Sequence, residues 1–125
     1  MSKVTFEETL EWFNTTDYTG AIGLTVKFPV PEEKAEAFAV FLKDYIPYVL
    51  KEEGCIDFGF QRDWKKPNEF WLTERWASVK ILLAHLGPDS RKNTKYEGNK
   101  PLEIMAEFGA KPEPAAIYRI GLGDE

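Results

Sequence analysis

The clearest pattern in the chain is the alternation of Ile22, Leu24, Val26 and Phe28 with Gly23, Thr25 and Lys27. A period of two puts the four apolar side chains on one face of a strand, and Pro29 and Pro31 end it because proline cannot donate to a ladder. The period then changes. Ala35, Phe38, Leu42, Tyr45, Ile46 and Val49 recur at steps of three and four, which is the apolar stripe of an amphipathic helix. Pro31, Glu32 and Glu33 open that helix, since proline fits a first turn and acids suit the positive end of the helix dipole. Pro47 lacks a backbone donor and is expected to kink the helix or end its regular part. Gly54 stops it.

Period two returns twice more. Ile56, Phe58 and Phe60 alternate with Asp57, Gly59 and Gln61. After the turn residues Lys65-Lys66-Pro67-Asn68, Phe70, Leu72, Glu74 and Trp76 share one face, and Trp71, Thr73 and Arg75 the other. These runs predict an antiparallel hairpin. Ser78 is a good N-cap for a second helix carrying Val79, Leu82, Leu83 and Leu86, which ends at Gly87-Pro88. Residues 89–100 are polar and read as a loop, Leu102–Phe108 as a short helix closed by Gly109, and Ala115–Leu122 as a last strand. Residues 1–19 carry Phe6, Leu10, Trp12 and Phe13 at roughly helical spacing. They read as an appended N-terminal arm with a short helix that ends at Asn14-Thr15-Thr16-Asp17.

From residue 20 to 125 the order is therefore β-α-β-β-α-β. This is an α+β, ferredoxin-like antiparallel sheet with helices on one face. Trp71 beside Leu72 and Tyr118 beside Ile117 put apolar groups on both faces of that sheet. A face without helices then needs another cover, and a second copy of the chain is the economical one. A homodimer is expected.

Composition narrows the partners. The chain has 125 residues, enough for one core, and its 16 Lys and Arg against 21 Asp and Glu give a net charge of -5. That balance argues against nucleic acid, which needs a concentrated cationic footprint. The basic residues Arg91, Lys92, Lys95 and Lys100 are interleaved with Asp89 and Glu97 and read as a solvated loop. No apolar run approaches a membrane span and the first residues lack a signal-peptide core, so no membrane partner and a cytoplasmic location are expected. Aromatics at 14% imply a core or pocket walled by rings. Cys55 is the only cysteine, so no internal disulfide is expected, and it reads as a small buried hydrophobe. With His85 as the only histidine, His and Cys ligands are too few for a zinc site. No nucleophile-elbow, dinucleotide or phosphate-loop fingerprint is present.

Three residues are candidates for chemistry. Histidine is the side chain type that titrates near neutrality, and His85 follows Ile81 and Leu82 by one helical turn. It suits a general base; the competing reading is a core histidine bonded to a backbone carbonyl. Trp76 suits the ring wall of a pocket, or simple packing at a strand end. Glu74 shares that strand face and lies further in; the competing readings are a pair with an arginine or a helix cap. Arg75 points to the opposite face and suits a salt bridge or dimer contact. Asp57 and Asp63 read as solvated.

The stretch Glu53–Leu86 resembles the antibiotic biosynthesis monooxygenase (ABM) family of dimeric α/β barrels. The resemblance lies in Glu53-Gly54-Cys55 leaving the first helix, Arg62-Asp63, Pro67-Asn68-Glu69-Phe70 in the turn, Glu74-Arg75-Trp76, and Ala84-His85-Leu86. It extends more loosely from Ala21 to Ile120. The resemblance implies a dimeric α/β barrel that oxidises an electron-rich phenol, hydroquinone or anthrone with O2 and without a cofactor. A haem-degrading branch of the same superfamily uses an Asn-Trp-His set with the Asn on the first strand. Residues 20–30 contain no asparagine, which argues against that activity here. A non-catalytic aromatic-metabolite binding protein and an isomerase or cyclase on the same scaffold remain the alternatives, because one fold hosts many activities.

Overall fold

The computed structural model describes residues 5–120. Four strands, β1 (Ile22–Pro29), β2 (Cys55–Arg62), β3 (Glu69–Trp76) and β4 (Ala116–Arg119), form an antiparallel sheet in the order β2-β3-β1-β4. Helices α1 (Phe6–Thr15), α2 (Ala35–Leu50), α3 (Val79–Leu86) and α4 (Pro101–Ala106), with a 3-10 turn at Glu32–Lys34 leading into α2, complete the elements among the described residues. The architecture is the ferredoxin-like α+β arrangement that the pattern predicts.

Register explains which side chains become the core. Leu24 on β1 lies opposite Glu74 on β3 and Ile117 on β4, and Val26 opposite Leu72. A period of two then sends Ile22, Leu24, Val26 and Phe28 to the same side as Phe70, Leu72, Glu74 and Trp76, and all eight are buried. The stripe of α2 closes over that side with Phe38, Leu42, Tyr45 and Val49. Each large apolar side chain buried this way contributes roughly 1.5–3 kcal/mol. Gly54 ends the α2 turn at φ 80°, where a Cβ would also lie 2.5 Å from Ile81, so the chain can enter β2 close beneath α3 only with glycine there.

Four details differ from the pattern reading. Helix α2 runs through Pro47 to Leu50; Pro47 and Lys43, whose carbonyl loses its donor, are both solvent-exposed, so water satisfies the freed group. The pairing of β2 with β3 shifts between Cys55 and Asp57. Ile56 is the extra residue of this bulge and is 49% exposed instead of facing inward with Phe58. The last strand is short, Ala116–Arg119, and residues 121–122 of its expected span lie outside the described residues. The arm, finally, joins the core. A capping box between Thr5 and Glu8 starts α1, and Phe13 belongs to the same buried cluster as Leu24 and Phe58.

On the other sheet face, Arg75 pairs with Asp57 at 3.6 Å. Trp71 and Tyr118 remain 38% and 39% exposed there. Tyr118 crosses Gly23 so closely that a Cβ at that position would sit 2.4 Å from its ring. Asp63 accepts from the backbone N–H groups of Lys65 and Lys66 at the hairpin tip, a turn role instead of a purely solvated one. No helix among the described residues is long and apolar enough to cross a membrane.

Candidate functional site

Between the inner sheet face and helices α1, α3 and α4 lies an apolar cavity. Leu24, Phe28, Phe58 and Leu72 form its floor, Phe6, Leu10 and Phe13 of α1 one wall, and Leu82, Leu86 and Met105 another. Glu74 and His85 are the only polar side chains that line it among the described residues. Its free volume is about 30 Å³. That is room for a water molecule or two, well short of the ~150 Å³ that takes a benzene-sized ring.

Local rules put His85 here. The Ser78 hydroxyl accepts from the Ile81 N–H and starts α3. Steps of three then turn Val79, Leu82 and His85 inward together. The imidazole lies against the Trp76 indole, centroids 4.5 Å apart and planes 30° apart, and Phe58 meets it edge-on at 5.5 Å. Its Nδ1 sits 3.0 and 3.1 Å from the two carboxylate oxygens of Glu52.

Behind the ring is a buried ion pair. Arg91 Nη1 donates to Glu52 Oε2 at 2.7 Å, with the two side chains only 1% and 4% exposed. The guanidinium also donates to three backbone carbonyls: His85 at 3.3 Å, Gly87 at 3.1 Å and Asn99 at 2.8 Å. Arg91 is thus no part of a solvated loop. Residues 87–99 wrap around it, and their carbonyls replace the water it has given up. Its Nε and the hydroxyl of Tyr45 have no hydrogen-bond partner among the described residues.

Glu74 takes the inward position that strand alternation gives it. Trp76 Nε1 donates to Glu74 Oε1 at 2.7 Å. Burial pushes the Glu74 carboxyl above the usual carboxylate range, with the Glu52 charge adding to it, while His85 and the Trp76 hydrogen bond pull the other way. Burial also raises the Cys55 thiol to about 11, helped by the charges of Glu52, Glu74 and Asp57, and pushes the Tyr45 phenol up.

Of the residues marked in the sequence, His85 and Glu74 meet in the cavity. Trp76 is fully buried behind them and is not among the cavity-lining residues, so the rings that face the cavity are Phe6, Phe13, Phe28 and Phe58. Cys55 is half-buried beside this group. Sequence reasoning missed Glu52 and Arg91. An acid at a polar helix end and an arginine in a polar loop look solvated, and no local signal distinguishes them. Among the described residues no three His, Cys, Asp or Glu side chains converge as a metal site would require.

The fold recurs in solved structures of other proteins. A conserved protein from Methanosarcina mazei Go1 is 27% identical and superposes with a TM-score of 0.62, covering 81% of this chain and 93% of its own. A protein from Bacteroides thetaiotaomicron VPI-5482, described as a possible oxidoreductase, gives 22% identity and a TM-score of 0.63, covering 82% and 100%. A protein from Caulobacter crescentus CB15, provisionally named an antibiotic biosynthesis monooxygenase, gives 22% and 0.62, covering 83% and 92%. No curated protein sequence matches the chain. The sequence model of the family described as antibiotic biosynthesis monooxygenase matches residues 21–95, which hold β1 through α3 with Glu52, Glu74, Trp76, His85 and Arg91. The chain belongs to the antibiotic biosynthesis monooxygenase family.

Proposed function

We propose that this chain is a cofactor-independent monooxygenase that oxidises an electron-rich aromatic of the quinol, phenol or anthrone type with O2. The observation that carries the reading is the cavity itself: apolar and ring-walled, with one imidazole and one carboxyl that burial pushes above its ordinary range as its polar side chains among the described residues. Such a site suits an uncharged planar substrate with a single acidic proton.

His85 takes that proton as general base. The carbanion or phenolate gives one electron to O2, and the radical pair recombines to a peroxide. Loss of water leaves one oxygen atom on the ring as a carbonyl, the other departing as water, with the substrate supplying the electrons. Glu74 donates a hydrogen bond to the oxygen that gains negative charge, and the dry walls strengthen that bond. Trp76 positions both groups, stacking on the imidazole and donating to the carboxyl.

The closed cavity cannot hold such a ring, so entry requires one wall to move. Helices α1 and α4 both lie outside the matched residues 21–95 and both line the cavity, α1 with Phe6, Leu10 and Phe13 and α4 with Pro101, Leu102 and Met105; we assign the movement to one of these two walls. The exposed Trp71 and Tyr118 support a homodimer through the face away from the helices. Sedimentation is expected to give twice the 14.4 kDa chain mass at micromolar concentration; a monomer would remove the dimer from the scheme.

Oxygen uptake with a panel of quinols, phenols and anthrones tests the activity. Turnover is expected with at least one class, and His85→Ala should lower it by roughly 10²- to 10⁴-fold with the fold retained. Tight binding without uptake would make the chain a binding protein, and product formed without O2 an isomerase or cyclase.

A further inference from the structure

We propose that Glu52, held in place by the Arg91 guanidinium, is a positioning residue that keeps His85 in the Nδ1–H tautomer and leaves Nε2 as the bare basic nitrogen of the cavity. The catalytic part rests on the monooxygenase reading; the tautomer does not.

The argument is one of donors and acceptors. Arg91 can only donate, so the Glu52 oxygen 2.7 Å from its Nη1 accepts. An ionised carboxylate accepts on both oxygens, and both lie 3.0–3.1 Å from Nδ1. Nδ1 must then carry the hydrogen. Arg91 Nη1 is also 3.5 Å from Nδ1, but two N–H groups cannot bond each other, and that contact is the longest of the set. A neutral imidazole has one N–H, so Nε2 keeps its lone pair. The ring lines the cavity, and Nε2 has no hydrogen-bond partner among the described residues. Trp76 lies along one face of the ring and Phe58 meets it edge-on, while the bonds of Nδ1 to Glu52 select this ring orientation.

The charges around the ring support the same role. The groups packed near it are Tyr45 from α2, Glu52 from the turn after α2, Cys55 from β2, Glu74 from β3 and Arg91 from the loop after α3. Burial favours the neutral forms of Tyr45, Cys55 and Glu74. Glu52 and Arg91 are left as a balanced pair behind the ring. When Nε2 takes a proton, the imidazolium forms against a carboxylate already in place, with no group needing to move. Arg91 in turn donates to Glu52 Oε2 and fixes the carboxylate in reach of Nδ1.

His85 is the only histidine, so the imidazole ¹⁵N spectrum of the whole chain contains a single side chain and needs no variant for assignment. In the neutral ring the wild-type protein is expected to show a protonated Nδ1 and a bare Nε2. An Nε2–H ring, the form that free imidazole prefers, overturns the proposal whether or not a substrate is ever found. Glu52→Gln keeps the size of the side chain but can offer an amide N–H to Nδ1. It is expected to move the ring toward Nε2–H and to lower kcat by roughly 10²- to 10⁴-fold, with KM changed only a few-fold. An unchanged tautomer in folded Glu52→Gln, checked by circular dichroism, refutes the role of Glu52. Arg91→Gln is expected to shift the ring part of the way, because an uncompensated Glu52 can then hold the shared proton; an unshifted ring removes Arg91 from the device. Should Glu52→Gln fail to fold, the wild-type spectrum still decides.

Discussion

Trp76→Phe separates the polar and packing roles of the residue that binds the site together. The substitution keeps an aromatic ring but removes the indole N–H, which donates to Glu74 Oε1 at 2.7 Å in a place where both side chains are buried. Leaving that oxygen without a donor costs about 1–3 kcal/mol. Shrinking indole to phenyl at a fully buried position adds roughly 1–2 kcal/mol for the void. The sum is ~2–5 kcal/mol, and for a chain of this size each kcal/mol lowers Tm by roughly 3–5 °C.

The pH dependence is the sharper test. Glu74 has a native pKa raised above the ordinary value of 4.5, so the native state holds this proton more tightly than the unfolded chain does. Its stabilising contribution is complete below the unfolded value and is lost as pH rises through the native value. The Trp76 bond pulls the native value down. Removing it raises that value further, so the destabilisation by Trp76→Phe should be larger at about pH 9 than at about pH 5. Urea melts of both proteins at the two pH values, repeated on a Glu74→Gln background, measure this. On that background the pH-dependent part should vanish, while a constant packing cost remains. A cost below ~0.5 kcal/mol, or the same pH dependence without an ionisable group at 74, would refute the account of a buried acid held by the indole.

Phe13→Ala tests whether α1 is an appendage or a wall. Its side chain is buried and lines the cavity, so a loss of ~3–5 kcal/mol and stronger binding of a hydrophobic dye or a benzene-sized ligand are expected; a loss under ~1 kcal/mol would show the helix to be dispensable packing. Cys55, with its thiol raised to about 11, should be about one part in a thousand thiolate at pH 8 and react with an aromatic disulfide reagent roughly 100-fold more slowly than free cysteine. Fast labelling in the folded protein would contradict that environment.

How far the sequence determines this protein depends on the range of the interaction. Strand β1 and the inward faces of β3 and α3 follow from periods of two and three to four, because those periods are set by the geometry of each element and need no partner. The same rule brings Glu74 and His85 to one side of the sheet. The bulge at Ile56, by contrast, exists only in the pairing of β2 with β3, and the continuation of α2 through Pro47 depends on which side of the helix meets water. Trp76 leaves the cavity wall because His85, from another element, takes the place beside it. Glu52 and Arg91 are the extreme case. They stand 39 positions apart, and each looks solvated in its own segment. Burying either charge alone is prohibitive, so only the tertiary structure, by delivering both together with the carbonyls of Gly87 and Asn99, makes their burial possible.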